Sequence, residues 1–392
     1  MPGMSTVDDA RERAPAAEAS RPDGRRRLVA ADVLRAVAAL AVIGTHVLAW
    51  TPSRAPWTEI QQLTRFALPV FVIVSGLLLQ HRYAHTARGM GFLRHRFSRT
   101  LVPWIAWAPV GFLLGLTATG QVSRAGGAGN WWEYGAGHLW FLLLIPQMYL
   151  VFTIWPRRHL WRWAGLAMLI QTGLQVQRLA WPMGVHSLAA VPTLWFGFLL
   201  FPYWIGYFGV GIAASRWLPG DGRAFPRRLI GGAIMVVGGA VLALWAPLSS
   251  AANGQFDQGT GAFLDPALAP LVLGVLIVAA SAGDRALTPF PALAGLLRRL
   301  SGWSLGIYIV HPLVLNTMTA ALLGPELGSG DPWVVASSAL AGFALTLAVS
   351  AALVRLIEAT PAALTVGLSR RTLPPGPGGY PHRPAAGQHA RR

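Results

Sequence analysis

The sequence predicts an all-α integral membrane protein: a bundle of about ten transmembrane helices with both termini in the cytoplasm. Three observations predict it. Only 12% of the residues are charged, against roughly 25% in an ordinary soluble domain. Apolar runs recur along the chain at close to the ~20 residues needed to cross a bilayer. The basic residues, every one an arginine, crowd into alternate loops between those runs.

The ten runs, in order, justify the count. Ala30–Trp50 follows Arg25-Arg26-Arg27 and is longer than a signal-peptide core, so it is expected to remain as an uncleaved first span. Leu63–Gln80 and Leu101–Thr119 flank an arginine-rich inner loop. His138–Trp155 and Leu160–Gln177 are separated by Trp155-Pro156-Arg157-Arg158, a break followed by positive charge. Leu188–Ala214 is long enough to be tilted or broken near Pro202. Leu229–Leu248, Leu264–Ala282, Trp303–Leu323 and Trp333–Ile357 complete the set.

With the N-terminus inside, 26 of the 32 arginines fall on the inner side. Only Arg54, Arg65, Arg124 and Arg178 lie outside, while Arg35 and Arg355 sit within spans. A missed span would have scrambled that asymmetry. Residues 1–28 and 361–392 are expected to be disordered cytoplasmic tails, rich in Arg, Pro, Ala or Gly, around a transmembrane domain at 29–360.

Composition excludes several chemistries. There is no cysteine, hence no thiol nucleophile and no cysteine-held metal. There is no lysine, hence no Schiff base and no Walker-type phosphate loop. The formal charge of +17 follows topology rather than an aromatic-interleaved basic surface, so nucleic acid is not expected as a partner. No close cluster of His and carboxylates points to a metal. Gly209-Val-Gly211-Ile-Ala-Ala214 mimics a dinucleotide fingerprint but lies within an apolar span. Its glycines, with Gly111-x-x-x-Gly115 and Gly302-x-x-x-Gly306, are expected to let helices pack closely.

Ionisable groups at bilayer depth cost about 2.5–3.5 kcal/mol each and call for a reason. The first span holds Asp32, Arg35 and His46. At 100° per residue Arg35 and His46 lie within ~20° of one another, and Asp32 lies one turn before Arg35. One polar stripe therefore climbs the helix, with ~16 Å of rise from Arg35 to His46. Ser75-Gly76 occupies the second span. In the ninth, Tyr308 and His311 share a face, with Pro312 next in line. His138 and Trp140 open the fourth span, and Glu133 precedes them. Arg96 and Arg99 stand three residues apart at the mouth of the third, a spacing at which paired guanidinium groups suit phosphate. By residue chemistry alone, a transporter or flippase of a lipid-linked glycan or small molecule is a second reading.

Taken in order, these segments resemble acyltransferase family 3, multispanning O-acyltransferases that use acyl-CoA to modify bacterial glycans and some antibiotics. The family's Leu-Asp-x-Leu-Arg followed by a distant His resembles Ala31-Asp32-Val33-Leu34-Arg35…His46. Its Pro-x-Phe-x-x-x-Ser-Gly-aromatic is similar to Pro69-Val70-Phe71-Val72-Ile73-Val74-Ser75-Gly76-Leu77. Arg96-Phe97-Ser98-Arg99…Pro103 resembles its Arg-x-x-Arg before a proline, Trp140-Phe141 its Trp-Phe, and Tyr308-Ile309-Val310-His311-Pro312 its Tyr-x-x-His. Ala31, Val33 and Leu77 depart from the pattern at packing positions.

The resemblance implies a multi-pass protein of the cell membrane that moves an acyl group, acetyl by analogy, from cytosolic acyl-CoA to a carbohydrate, glycoside or macrolide-type hydroxyl. Acyl-CoA would be a co-substrate; no permanently bound cofactor and no metal are implied. His46 would act as general base or acyl relay, with Asp32 orienting Arg35. Arg96 and Arg99, with Ser75, would receive acyl-CoA. Glu133, His138, Trp140, Tyr308 and His311 would line the substrate path.

Overall fold

Each of the ten apolar runs carries a helix in the computed structural model, which describes residues 28–52, 56–84, 89–119, 137–180, 199–216, 225–252, 263–287 and 289–368. Among these residues there is no strand. The α-helices, numbered here in chain order, are α1 (Val29–Leu48), α2 (Trp57–Thr64), α3 (Ala67–Tyr83), α4 (Met90–Thr119), α5 (Phe141–Ile154) and α6 (Leu160–Ala180). They continue with α7 (Ile205–Ala214), α8 (Phe225–Ala252), α9 (Leu268–Leu287), α10 (Pro291–Val314), α11 (Ala320–Leu327) and α12 (Pro332–Glu358).

Several boundaries differ from expectation. The arginines at 94, 96 and 99 belong to α4 itself, which starts at Met90, not to a loop before the third span. Arg298 and Arg299 likewise lie inside α10. The ninth span is not one straight helix. It passes through a π-helical turn at Leu315–Thr319 and then bends by 77° into α11. Near Pro202 a 3-10 turn, Phe201–Tyr203, precedes α7, and the sixth run before Leu199 lies outside the described residues.

Among the described residues three helical segments are long and apolar enough to cross a membrane: Val29–Leu48, Trp57–Tyr83 and Pro332–Glu358. The bent segment through Pro291–Thr319 makes a fourth if taken as one span. Helix α12 shows the character of these segments. Its buried positions are Val335, Ser338, Gly342, Thr346, Ser350 and Val354, a small and polar stripe at helical spacing. Leu340 and Leu356 face outward, at 72% and 66% exposure. That is the reverse of a water-soluble amphipathic helix, and it is what a lipid-facing surface requires. The protein is a membrane protein built of apolar helices.

The chain divides into two units. The first comprises Met1–Val42, Glu59–Met90 and Leu150–Gly302; the second comprises Ile43–Thr58, Gly91–Tyr149 and Trp303–Arg392.

In the first unit α3 crosses α7 at glycines on both helices. A Cβ on Gly76 would strike the Phe208 carbonyl oxygen and lie 3.2 Å from the Ile212 nitrogen, and one on Gly211 would strike the Ile73 carbonyl. Gly209 packs against Trp155 and Ala164. The start of α7 is satisfied from α6: Gln171 Oε1 accepts from the Gly206 and Tyr207 amides at 2.9 and 3.2 Å, and Gln175 Nε2 donates to the Tyr203 carbonyl at 3.3 Å. Opening groups of a helix lack intrahelical partners, so a buried helix start needs such help.

In the second unit Asp331 caps α12, accepting from the Trp333 and Val334 amides, with Pro332 as first helical residue. Thr319 and Thr346 share a buried hydrogen bond of 2.9 Å. The first residues of the expected C-terminal tail form a 3-10 helix, Pro361–Val366, that ends on Gly367 at φ +75°. That left-handed conformation favours glycine. Of the paired glycines 302 and 306, only Gly306 meets a neighbour, Val354; around Gly302 there is open space.

Candidate active site

Helix α1 forms because Val29–Leu48 is rich in alanine and aliphatic residues and has Asp32 in its first turn, where a carboxylate complements the helix dipole. It delivers His46 near its C-terminal end. Helix α10 delivers Tyr308 and His311 one turn apart, just before Pro312. Pro312 has no N–H to give the Tyr308 carbonyl, so the helix is locally loosened where the two side chains project. A 3-10 turn, Gly137–Trp140, leads into α5 and carries His138 and Trp140.

His46, His138, Trp140, Tyr308 and His311 all belong to the second unit, where three imidazoles come together. The His46 and His311 ring centres are 5.0 Å apart, and those of His138 and His311 are 5.8 Å apart. Tyr308 lies 5.7 Å from His138 and 6.1 Å from His311, centre to centre, and Phe141 closes over Tyr308 at 5.8 Å. His311 is fully buried. His46 and His138 are half-buried. Trp140 is buried and stands edge-on to Phe141.

Hydrogen bonds orient the rings. The Nδ1–H of His311 donates to the Ile307 carbonyl at 3.0 Å. The Nε2–H of His138 donates to the Ile309 carbonyl at 3.0 Å. Carbonyl oxygens only accept, so each bond fixes a tautomer and leaves the other ring nitrogen with its lone pair. The Tyr308 hydroxyl donates to the His138 carbonyl and so anchors the turn to α10. A second positive charge 5 Å from a first would cost about 3 kcal/mol at an effective dielectric of 20. The cluster therefore holds one positive charge far more readily than two. No three His or carboxylate groups among the described residues are placed to hold a metal ion.

The other expected site residues fall elsewhere. Asp32, in the first unit, accepts a 2.7 Å hydrogen bond from Ser301 Oγ, with both groups buried. Beside it a cavity of about 330 Å³ is walled by Val29, Val33, Leu287, Pro291, Ala294 and Leu297, with Arg298 also on the wall. Arg35 is half-buried on the same helix as Asp32. Ser75 is half-buried and its hydroxyl donates to the Phe71 carbonyl of its own helix at 2.8 Å, while the adjacent Gly76 makes the helix contact. Arg96 and Arg99 are half-buried near the start of α4. There Phe92 and Phe97 pack against Tyr149, at 6.5 and 6.4 Å between ring centres. Glu133 lies outside the described residues.

Two residues were missed. Ser301 continues a stripe on α10: Ser301, Ser304, Tyr308 and His311 fall at i, i+3, i+7 and i+10, and all four are buried. That periodicity was available in the sequence. Arg65, counted there as an outer-side topology residue, is only 2% exposed and sits 5.3 Å over the Phe263 ring in the first unit. Loop counting cannot detect such burial.

A family model for an acyltransferase domain, acyltransferase family 3, matches residues 28–355. The chain belongs to this acyltransferase family. The match runs from the start of α1 to the last turn of α12. No curated protein and no solved structure matches the chain. Membership makes the protein a membrane acyltransferase, and the motifs that suggested the family all lie within the matched span.

Proposed function

We propose that this acyltransferase moves an acyl group, by analogy acetyl, from cytosolic acyl-CoA to a hydroxyl of a carbohydrate or glycoside acceptor, within a multi-pass bundle of the cell membrane. The arginine asymmetry supports about ten spans with both termini in the cytoplasm. The observation that carries the chemistry is the meeting of His46, His138 and His311 with Tyr308. Acyl transfer from a thioester to a hydroxyl needs a base near neutrality, and imidazole is that base.

His46 is the general base. It takes the proton of the acceptor hydroxyl as the oxygen attacks the thioester carbon. The C–S bond then breaks, and the thiolate of CoA leaves with that proton. Tyr308 and His138 hold the surroundings of the base. The CoA phosphates dock on Arg96 and Arg99, whose one-turn spacing presents two guanidinium forks to an anion. Asp32 and Arg35 belong to the same polar stripe of α1 and orient the path that the pantetheine arm follows.

The test is transfer from labelled acetyl-CoA in membranes containing the protein, with a lysate glycan pool as acceptor, wild type beside His46→Ala. Label entering the acceptor with wild type alone supports the reading. Equal transfer by both removes His46 from the mechanism. Failure of the wild type to bind acetyl-CoA would turn the reading toward a transporter.

A further inference from the structure

We infer that His311 is the second member of a proton relay, accepting on Nε2 the proton that His46 draws from the acceptor. The inference deepens the acyl-transfer reading above and rests on it. Three observations carry it. His311 is 0% exposed and its Nε2 has no hydrogen-bond partner. Buried polar atoms are almost always satisfied, so a bare one calls for a role. Its Nδ1–H is committed to the Ile307 carbonyl, so Nε2 is the nitrogen with the lone pair. Finally, the His46 ring centre is 5.0 Å away. An imidazole nitrogen lies roughly 1.1 Å from its ring centre. Nε2 makes no bond to His46 in this structure, but two imidazoles at this separation come into hydrogen-bond range when the rings turn nitrogen to nitrogen.

The relay balances as follows. The acceptor O–H bond breaks and its proton goes to one nitrogen of His46. The proton on the other nitrogen of His46 passes to Nε2 of His311, which becomes an imidazolium. The acceptor oxygen bonds to the acyl carbon and the C–S bond breaks. The proton returns by the same route to the CoA sulfur. The Ile307 carbonyl, at the far nitrogen of His311, faces the positive charge while it lasts. A base oriented by a third buried group is the arrangement found wherever a hydroxyl must be activated. Here the third group is an imidazole. His311 acts through His46 and is a positioning residue rather than one that touches substrate.

The experiment compares His311→Phe and His311→Gln with wild type in acetyl-CoA turnover. Phe keeps the ring shape without a lone pair, and Gln keeps polarity without a basic nitrogen. Both are expected to lower kcat about 100-fold, within the usual range for acid–base groups, with KM for acetyl-CoA unchanged. In mixtures of light and heavy water the wild-type rate should curve with deuterium fraction, showing two protons in transit, and the variants should give a straight line. Wild-type kcat in either variant would overturn the relay, and so would a straight line for wild type. The wild-type measurement decides the matter even if both variants misfold. No acetyl transfer by wild type would instead defeat the acyl-transfer reading itself.

Discussion

Replacing Gln171 by Leu tests how the break before α7 is tolerated. Gln171 is fully buried and its side-chain oxygen accepts the Gly206 and Tyr207 amides at 2.9 and 3.2 Å. Leucine fills similar space and leaves both donors without a partner. Each orphaned buried donor costs about 1–3 kcal/mol, so the loss is about 2–6 kcal/mol. Burying the leucine side chain returns about 1.5–3 kcal/mol. Taking the middle of each range, the net destabilisation is about 2 kcal/mol, or about 4–8 °C in melting temperature at about 2–4 °C per kcal/mol. Gln175→Leu removes a single bond of 3.3 Å to the Tyr203 carbonyl and should cost less. The assay is a tryptophan-fluorescence melt of detergent-solubilised protein. The chain has 17 tryptophans and no cysteine, so thiol-reactive dyes are of no use. A Gln171→Leu protein that melts with wild type would refute the reasoning. Gln175→Leu proving the more damaging of the two would refute it equally.

Two more outcomes follow from the packing and the proposed docking. Gly76→Ala places a methyl against backbone atoms of Phe208 and Ile212, which cannot rotate away. It should lower stability by about 1–3 kcal/mol, while Gly302→Ala, in open space on α10, should be neutral or slightly stabilising in the same melt. Arg96→Gln and Arg99→Gln should each raise KM for acetyl-CoA about tenfold, the worth of one charge-assisted hydrogen bond, without changing kcat. Unchanged KM in both variants would remove the CoA phosphates from α4.

The helices were legible because apolar runs near bilayer length have few other uses. Their ends were less so. Arginine counting marks where a chain leaves the apolar region but not whether it stays helical there. Helix α4 continues outward to Met90 because Phe92 and Phe97 still have Tyr149 to pack on. Helix α10 begins at Pro291, a residue suited to a first helical turn, about three turns before the apolar run that opens at Trp303. The bend after the π-helical turn was hidden for a different reason. Leu315-Asn316-Thr317-Met318-Thr319 is more polar than its surroundings, but polarity does not report a wider helical turn.

The site was legible in its parts but not in its pairing. Periodicity placed His46 on one face of α1 and set Tyr308 beside His311 on α10, yet nothing local says that residues 265 apart will meet. A physical argument narrows the choice. Polar side chains on a helix in an apolar medium must find one another or water. Helix α10 carries four on one face: Ser301, Ser304, Tyr308 and His311. Helix α1 carries Asp32, Arg35 and His46 on one face, and two faces so rich in polar groups have few other places to turn. The contacts follow that logic separately in each unit: Asp32 takes the Ser301 hydroxyl in the first, and His46 meets His311 in the second. Stopping the α10 stripe at Ser304 therefore obscured more than one serine. It concealed the match between the two helices, and with it the reason that His311 stands beside His46.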